Sequence, residues 1–281
     1  MARVGVLFHP GRENARSKAE DLRSWLHERD HEYLNLSDCD QIDQLDLVVS
    51  LGGDGTMLRA IDKVSSKGLP VLGVNFGSLG YLTEIDPDSL FIALRRFFDN
   101  DYLIEERMTL NVKIESRQLT GQGHGGLHSS FVALNEMVVE KLSSGHVIRV
   151  EVSIGNEQFL TYEADGIIAS TPTGSTAYNF SSRGPVLSPS LRAIIITPIS
   201  PHMLFDRSLV LESHETVSFK IVEGPSAAVM VDGVQKARID PGDRVICTCY
   251  ETPARLVTFG KKDFHQILKM KFGLSSKQMG I

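Results

Sequence analysis

The period of the hydrophobic pattern changes near residue 101, and this change constrains the fold more than any other feature of the sequence. Before it, short apolar runs alternate with segments of helical spacing. The runs predict strands at Val4–Phe8, Leu45–Leu51 and Leu69–Val74, and the spacing predicts helices over residues 13–30, 56–66 and 87–98. Such alternation is typical of a parallel sheet covered by helices, so this part is predicted to be α/β with a Rossmann-like sheet.

After residue 101 the apolar positions recur at every second residue. Leu110, Val112 and Ile114 alternate with polar residues, and the stretch from Ile148 to Ile154 does the same. Period two indicates strands with one buried face. Further strands are predicted at 157–162, 193–199, 215–222, 227–231 and 244–249, and a terminal helix at 262–272. The second part is therefore predicted to be mainly β and sandwich-like.

A chain of 281 residues is long enough for two hydrophobic cores, since domains usually have roughly 100 to 200 residues. We expect an α/β domain over residues 1–100 and a β-rich domain over residues 101–259.

Composition excludes several classes of function. The net charge of -6 and the pI near 5.9 offer no basic surface for nucleic acid. The apolar runs are far shorter than the ~18 residues of a membrane span. Three cysteines cannot form a disulfide framework, and their odd number favours a reducing compartment. We therefore expect a cytoplasmic protein without a nucleic-acid or membrane partner.

The sharpest motif is Gly-Gly-Asp-Gly-Thr at Gly52–Thr56, directly after a predicted buried strand and before a predicted helix. In α/β sheets this is where ligands bind. Gly52, Gly53 and Gly55 would let backbone amides approach phosphate oxygens, and the helix N-terminus that follows would favour negative charge. The spacing is neither that of the Rossmann fingerprint nor that of the Walker loop.

Asp54 is the candidate catalytic residue of this motif. A carboxylate beside phosphates is repulsive unless it holds a metal ion or accepts a proton from a reacting hydroxyl. The alternative is that Asp54 only caps the following helix.

Two further segments carry polar groups at the ends of apolar strands. Residues 171–178 read Thr-Pro-Thr-Gly-Ser-Thr-Ala-Tyr, a turn whose hydroxyls and amides could bind a base, ribose or phosphate. Asn135 and Glu136 interrupt an apolar run that we interpret as one strand, Phe131–Val139. Either a ligand or an exposed strand edge would explain this polar pair, and a plain polar loop would explain the turn.

Taken together, these motifs resemble the NAD kinase family. The resemblance covers most of the chain and includes Gly73–Leu82, Ser181–Pro185 and Val231–Gly233. The first motif also resembles diacylglycerol and sphingosine kinases, whereas the run at 171–178 is close to diagnostic for NAD kinases.

The resemblance implies transfer of the γ-phosphoryl group of ATP, or of polyphosphate, to the adenosine 2′-hydroxyl of NAD. It implies that Asp54 meets this hydroxyl, and that a divalent ion such as Mg²⁺ arrives with the nucleotide rather than at a fixed protein site. It further implies that the C-terminal segment 260–281 joins the first domain and that the β-rich domain, residues 101–259, binds the dinucleotide. The protein is implied to be a homotetramer or homodimer with NAD bound between the domains. The residues implied to bind substrate or nucleotide are Gly52, Gly53, Gly55, Thr56, Asn135, Glu136, Asp165, Thr173, Thr176, Ala177 and Tyr178.

Two rival functions are compatible with some of the same motifs. A lipid kinase of the diacylglycerol type would share the glycine motif, and a catalytically silent dinucleotide sensor would share the binding residues.

Overall fold

The computed structural model describes residues 1–37, 42, 44–77, 80–83, 85–116, 129–260 and 264–273. These residues form two compact units. The first consists of Met1–Glu106 and the chain from Thr252 onward, and the second consists of Arg107–Glu251.

The first unit contains a six-stranded sheet, sheet A. Its strands are β1 (Arg3–Phe8), β2 (Glu32–Asn35), β3 (Leu47–Gly52), β4 (Pro70–Asn75), β5 (Leu103–Arg107) and β18 (Ala254–Thr258). Their order across the sheet is β2-β1-β3-β4-β18-β5. The neighbouring pairs β2–β1, β1–β3, β3–β4 and β4–β18 are all parallel. Its helices are α1 (Glu13–His27), α2 (Asp54–Val64), α3 (Leu90–Phe98) and α5 (Phe264–Lys271).

The central strand of this sheet shows why the sequence folds this way. Every residue of β3 is buried, as its continuous apolar run predicts for a strand covered on both faces. The helix start predicted at residue 87 is confirmed as a short 3-10 turn, Pro87–Ser89, that leads into α3. Asp86 caps this turn, because its side chain accepts a hydrogen bond from the Ser89 amide at 2.9 Å. Leu90, Leu94 and Phe97 are buried on the inner face of α3.

The second unit is built from two six-stranded antiparallel sheets. The strands of sheet B are β6 (Leu110–Glu115), β7 (Ser129–Ala133), β9 (Ile148–Ile154), β10 (Glu157–Ala164), β14 (Val217–Glu223) and β17 (Arg244–Cys249). Those of sheet C are β8 (Glu136–Lys141), β11 (Gly166–Ser170), β12 (Ala193–Ile199), β13 (Leu209–Glu212), β15 (Ala227–Val231) and β16 (Val234–Ile239). Sheet B has the order β10-β9-β14-β17-β6-β7, and sheet C has the order β13-β12-β11-β8-β15-β16. A short helix, α4 (Tyr178–Ser181), follows β11.

One core joins the two sheets. Val112 and Val150 of sheet B pack in the same buried cluster as Val139 and Ile196 of sheet C. This face-to-face packing makes the second unit a β-sandwich, and the predicted fold class is confirmed.

One predicted strand is wrong. The run Phe131–Val139 is not continuous, because β7 ends at Ala133 in sheet B and β8 begins at Glu136 in sheet C. Leu134 and Asn135 form the crossing between the sheets. Apolar composition continues through this crossing because both strands face the same core, so periodicity alone does not reveal the break.

None of the helices in the described residues is both long and apolar enough to cross a membrane.

Candidate active site

The glycine motif forms the link between β3 and α2 in the first unit. Gly52 ends β3, Gly53 is the N-cap of α2, and Asp54 is its first residue. A Cβ on Gly52 would lie 2.2 Å from Thr56 Oγ1, so only glycine fits there. A Cβ on Gly53 or Gly55 would meet no atom within 4 Å, because both face open space. The motif therefore combines one glycine required by packing with two that leave the backbone accessible.

Asp54 does not cap its own helix. No side chain makes a capping hydrogen bond at the start of α2. Instead, Asp54 Oδ2 accepts a hydrogen bond from the Tyr81 amide at 2.9 Å, and Oδ1 accepts one from the Leu82 amide at 3.1 Å. A Cβ on Gly80 would lie 2.3 Å from Asp54 Oδ1, so the carboxylate also depends on the small size of that residue. Each carboxylate oxygen keeps a lone pair that can accept a further proton or hydrogen bond.

Asp54 lies in a cavity of about 520 Å³ within the first unit. The residues that line it are His9, Pro10, Arg12, Gly53, Asp54, Gly55, Thr56, Arg59, Asn75, Gly77, Gly80 and Lys271. This set contains three cationic side chains, Arg12, Arg59 and Lys271, and one carboxylate. Thr56 is 1% exposed, and its Oγ1 has no hydrogen-bond partner among the described residues. The cavity suits a ligand that is strongly anionic and accepts hydrogen bonds.

Of the stretch Gly73–Leu82, which carries part of the family resemblance, residues 78 and 79 lie outside the described residues. Its first three residues are the last three of β4. The Asn75 amide donates a hydrogen bond to Ile85 O at 2.8 Å.

The second group of predicted residues forms where β8 and β11 pair in sheet C. Glu136 lies opposite Ser170, so the polar pair at the start of β8 meets the turn that follows β11. The Thr171 amide donates to Asn135 O at 2.9 Å, and Thr171 Oγ1 donates to Leu134 O at 2.6 Å. A Cβ on Gly174 would lie 2.1 Å from Asn135 O, which explains the glycine in the turn. Two motifs distant in sequence are thus one structural unit.

Among the acidic residues of this group, Glu136 has the pKa that departs most from its ordinary value. The residue is 6% exposed, and its Oε2 has no hydrogen-bond partner among the described residues. Burial, together with the negative charge of Asp232, raises the pKa of Glu136 to about 8, although a hydrogen bond from the Tyr178 backbone amide acts in the opposite direction. The carboxyl group is therefore mostly protonated at neutral pH and can donate a hydrogen bond.

Asp232 holds the backbone that presents Asn135 and Glu136. Its carboxylate accepts hydrogen bonds from the amides of Leu134, Asn135 and Glu136, at 2.8, 2.8 and 3.0 Å. Sequence reasoning placed Asp232 only in a block of family resemblance and gave it no role, because its partners lie about a hundred residues away in the chain.

The remaining predicted residues lie near the paired strands β8 and β11 of sheet C. The Tyr178 ring packs on Val138, Ile168 and Ile199. Burial raises the pKa of the Tyr178 hydroxyl, and nearby carboxylates raise it further. Asp165 precedes β11, and its Oδ1 lies 2.5 Å from Lys141 Nζ.

Three residues of the turn complete this group. Thr173 Oγ1 accepts a hydrogen bond from the buried Arg107 at 3.4 Å, and Thr176 Oγ1 donates to Thr173 O at 3.3 Å. Ala177 is the N-cap of α4, and its amide donates to Gly174 O at 2.8 Å. The predicted site residues therefore form two groups, one in each unit.

A fixed metal centre is not evident in the described part of the chain. There, no three side chains of His, Cys, Asp or Glu are arranged to hold a metal ion.

Models of known protein families match most of both units. Residues 11–102 match the model of the ATP-NAD kinase N-terminal domain, and residues 134–259 match that of the ATP-NAD kinase C-terminal domain. The NAD kinase of Heliobacterium modesticaldum is 39% identical, over 96% of this chain and 98% of that protein. The NAD kinase of Corynebacterium glutamicum is 41% identical, over 84% of this chain and 79% of that protein.

Solved structures show the same fold. A yeast NADH kinase, complexed with NADH, superposes with a TM-score of 0.87 at 23% identity. The superposition covers 98% of this chain and 89% of the yeast chain. An NAD kinase from Archaeoglobus fulgidus, in complex with ATP, gives a TM-score of 0.73 at 24% identity. The superposition covers 96% of this chain and 97% of that one. Two family models that together span most of the chain, and relatives of this identity over nearly its full length, show that the chain belongs to the NAD kinase family.

Proposed function

We propose that this protein transfers the γ-phosphoryl group of ATP to the adenosine 2′-hydroxyl of NAD and so produces NADP. Relatives at 31% to 41% identity are NAD kinases. The observation that carries the proposal is Asp54: a carboxylate oriented by the Tyr81 and Leu82 amides, in a cavity with three cationic side chains.

Asp54 is proposed to accept the proton of the 2′-hydroxyl, or to orient that hydroxyl toward the γ-phosphorus. The two amide hydrogen bonds fix the carboxylate without consuming all of its lone pairs. A loose phosphoryl-transfer transition state demands little base strength, so accurate positioning contributes as much as proton removal.

Gly52, Gly53, Gly55 and Thr56 are proposed to bind phosphate oxygens. Accessible amides at a helix N-terminus attract anions, and the buried Thr56 hydroxyl would gain a hydrogen-bond partner.

The second group is proposed to recognise NAD. Its proposed binding residues are Asn135, Glu136, Asp165, Thr173, Thr176, Ala177 and Tyr178. Glu136, with its pKa raised to about 8, would donate a hydrogen bond to an acceptor on the nucleoside. The Tyr178 ring, held on an apolar patch, offers a face to a base.

Mg²⁺ is proposed to enter as part of the nucleotide substrate, where it neutralises β- and γ-phosphate oxygens. We further propose a cytoplasmic homo-oligomer. Phe159 and Phe205 support this assembly, since they are 44% and 37% exposed and their rings lie 6.2 Å apart on the second unit.

The direct test is to incubate purified protein with NAD, ATP and Mg²⁺ and to quantify NADP with an NADP-specific dehydrogenase. Wild type should form NADP, and Asp54→Asn should lower turnover by at least about 100-fold while NAD affinity changes little. A diacylglycerol kinase would instead phosphorylate lipid in mixed micelles, and a silent sensor would bind NAD without turnover. Asp54→Asn turnover close to that of wild type would refute the role of the carboxylate.

A further inference from the structure

Lys271 reaches the Asp54 cavity from the C-terminal helix. It is the last residue of α5, and its Nζ lies 3.9 Å from Asp54 Oδ2. The same Nζ lies 4.0 Å from the centre of the Tyr81 ring. No residue of α5 is fully buried, yet the Lys271 side chain is only 25% exposed because it projects into the cavity.

Fold stability does not account for this placement. A distance of 3.9 Å is longer than a hydrogen bond, and both Asp54 oxygens already accept backbone amides. A partly exposed ion pair of this kind contributes little to folding, and the cation–π contact with Tyr81 adds only about 0.5 to 1 kcal/mol at such a site. Asp54 is the only carboxylate within 4 Å of Lys271 among the described residues, so the ammonium keeps its capacity to bind another anion.

The other charges of the cavity point to the same class of ligand. Arg12 is anchored, since its Nη1 donates to Phe76 O at 2.5 Å, and Arg59 is exposed on α2 without an ion-pair partner in the described part of the chain. With Lys271, these residues place three positive charges against one carboxylate, in a chain whose net charge is -6. A chain of phosphate groups matches such a cavity.

We propose that Lys271 contacts the transferred phosphoryl group and neutralises the charge that develops on its oxygens. This proposal rests on the proposed NAD kinase activity. The 2′-oxygen of NAD forms a bond to the γ-phosphorus, and the bond from that phosphorus to the β-bridging oxygen breaks. ADP leaves with the electron pair of the broken bond, and the hydroxyl proton passes to Asp54 and then to solvent. Lys271 holds the γ-phosphoryl oxygens beside Asp54 and prevents charge repulsion between them.

The test compares Lys271→Met, Lys271→Arg and Lys269→Met in steady-state assays at varied ATP and at varied NAD. Lys269 is the matched control, because it is an exposed lysine on the same helix and does not line the cavity. Lys271→Met should lower kcat/KM for ATP by about 10- to 100-fold, since one charge-stabilising group is lost. Lys271→Arg should recover most of that loss, while Lys269→Met and the NAD dissociation constants should match wild type.

Three results would overturn the inference: Lys271→Met within twofold of wild type, Lys271→Arg as impaired as Lys271→Met, or Lys269→Met as impaired as Lys271→Met. Absence of NADP formation by wild type would instead refute the proposed function. Thermal unfolding of each variant, expected within about 2 °C of wild type for the loss of so weak an ion pair, separates a chemical effect from misfolding.

Discussion

Replacing Glu136 by glutamine should remove a large part of the pH dependence of the free energy of unfolding. In the folded protein, burial and the charge of Asp232 raise the pKa of Glu136 from 4.5 to about 8. The folded state therefore binds a proton that the unfolded state releases. This contribution to stability is fully present below pH 4.5 and is lost as the pH rises through 8.

The size of the effect follows from the pKa difference. At about 1.4 kcal/mol per pKa unit, moving the pKa from 4.5 to about 8 corresponds to about 5 kcal/mol in total. Between pH 5 and pH 9 the wild-type protein should lose about 4 kcal/mol of stability through this group. The group is almost completely buried, so solvent screening reduces this value little.

The assay is urea unfolding of wild type and Glu136→Gln at several pH values from 5 to 9. The glutamine amide can impose a constant cost of about 1 to 3 kcal/mol if it finds no acceptor, so the comparison uses the change with pH and not the absolute stability. The free energy of unfolding should fall about 4 kcal/mol less for the variant than for wild type over this range. Curves that stay parallel within about 1 kcal/mol would refute the argument that burial keeps this carboxyl group protonated.

Four further outcomes are expected. Asp232→Ala should lower the free energy of unfolding by about 2 to 4 kcal/mol, since three amides lose a charged acceptor, and should weaken NAD binding; denaturation curves like those of wild type would contradict this. Gly80→Ala should reduce turnover at least about 10-fold, because its Cβ would displace the Asp54 carboxylate, and a fully active variant would show that the carboxylate need not be held there. Tyr178→Ala should weaken NAD binding by about 1 to 3 kcal/mol in calorimetric titration, and unchanged titration curves would place the dinucleotide elsewhere. Chelation should abolish NADP formation and added Mg²⁺ should restore it, whereas a stoichiometric metal in the ligand-free protein would contradict delivery with the nucleotide.

Much of the fold could be predicted because periodicity reports which side of an element is buried. The helix predicted over residues 262–272 corresponds to α5, Phe264–Lys271, with residues 262 and 263 outside the described part of the chain. The strand predicted at 193–199 is β12, Ala193–Ile199. Short strands with mixed exposure, such as Glu32–Asn35 and Val234–Ile239, carry no clear period and were not predicted. Propensity is weak in such segments, and pairing with neighbouring strands decides their structure.

For the site, the local chemistry could be predicted from neighbouring residues in the chain. Glycines beside an aspartate between a buried strand and a helix predict a phosphate loop, since backbone geometry depends on adjacent residues. The long-range contacts emerge only from packing: Asp54 accepts hydrogen bonds from the Tyr81 and Leu82 amides instead of capping α2, and Asp232 accepts one from the Glu136 amide. The same holds for Lys271, which comes to the cavity from the end of the chain. Nothing in the local pattern of these residues encodes their partners, because contacts between distant segments depend on how complete sheets and helices pack.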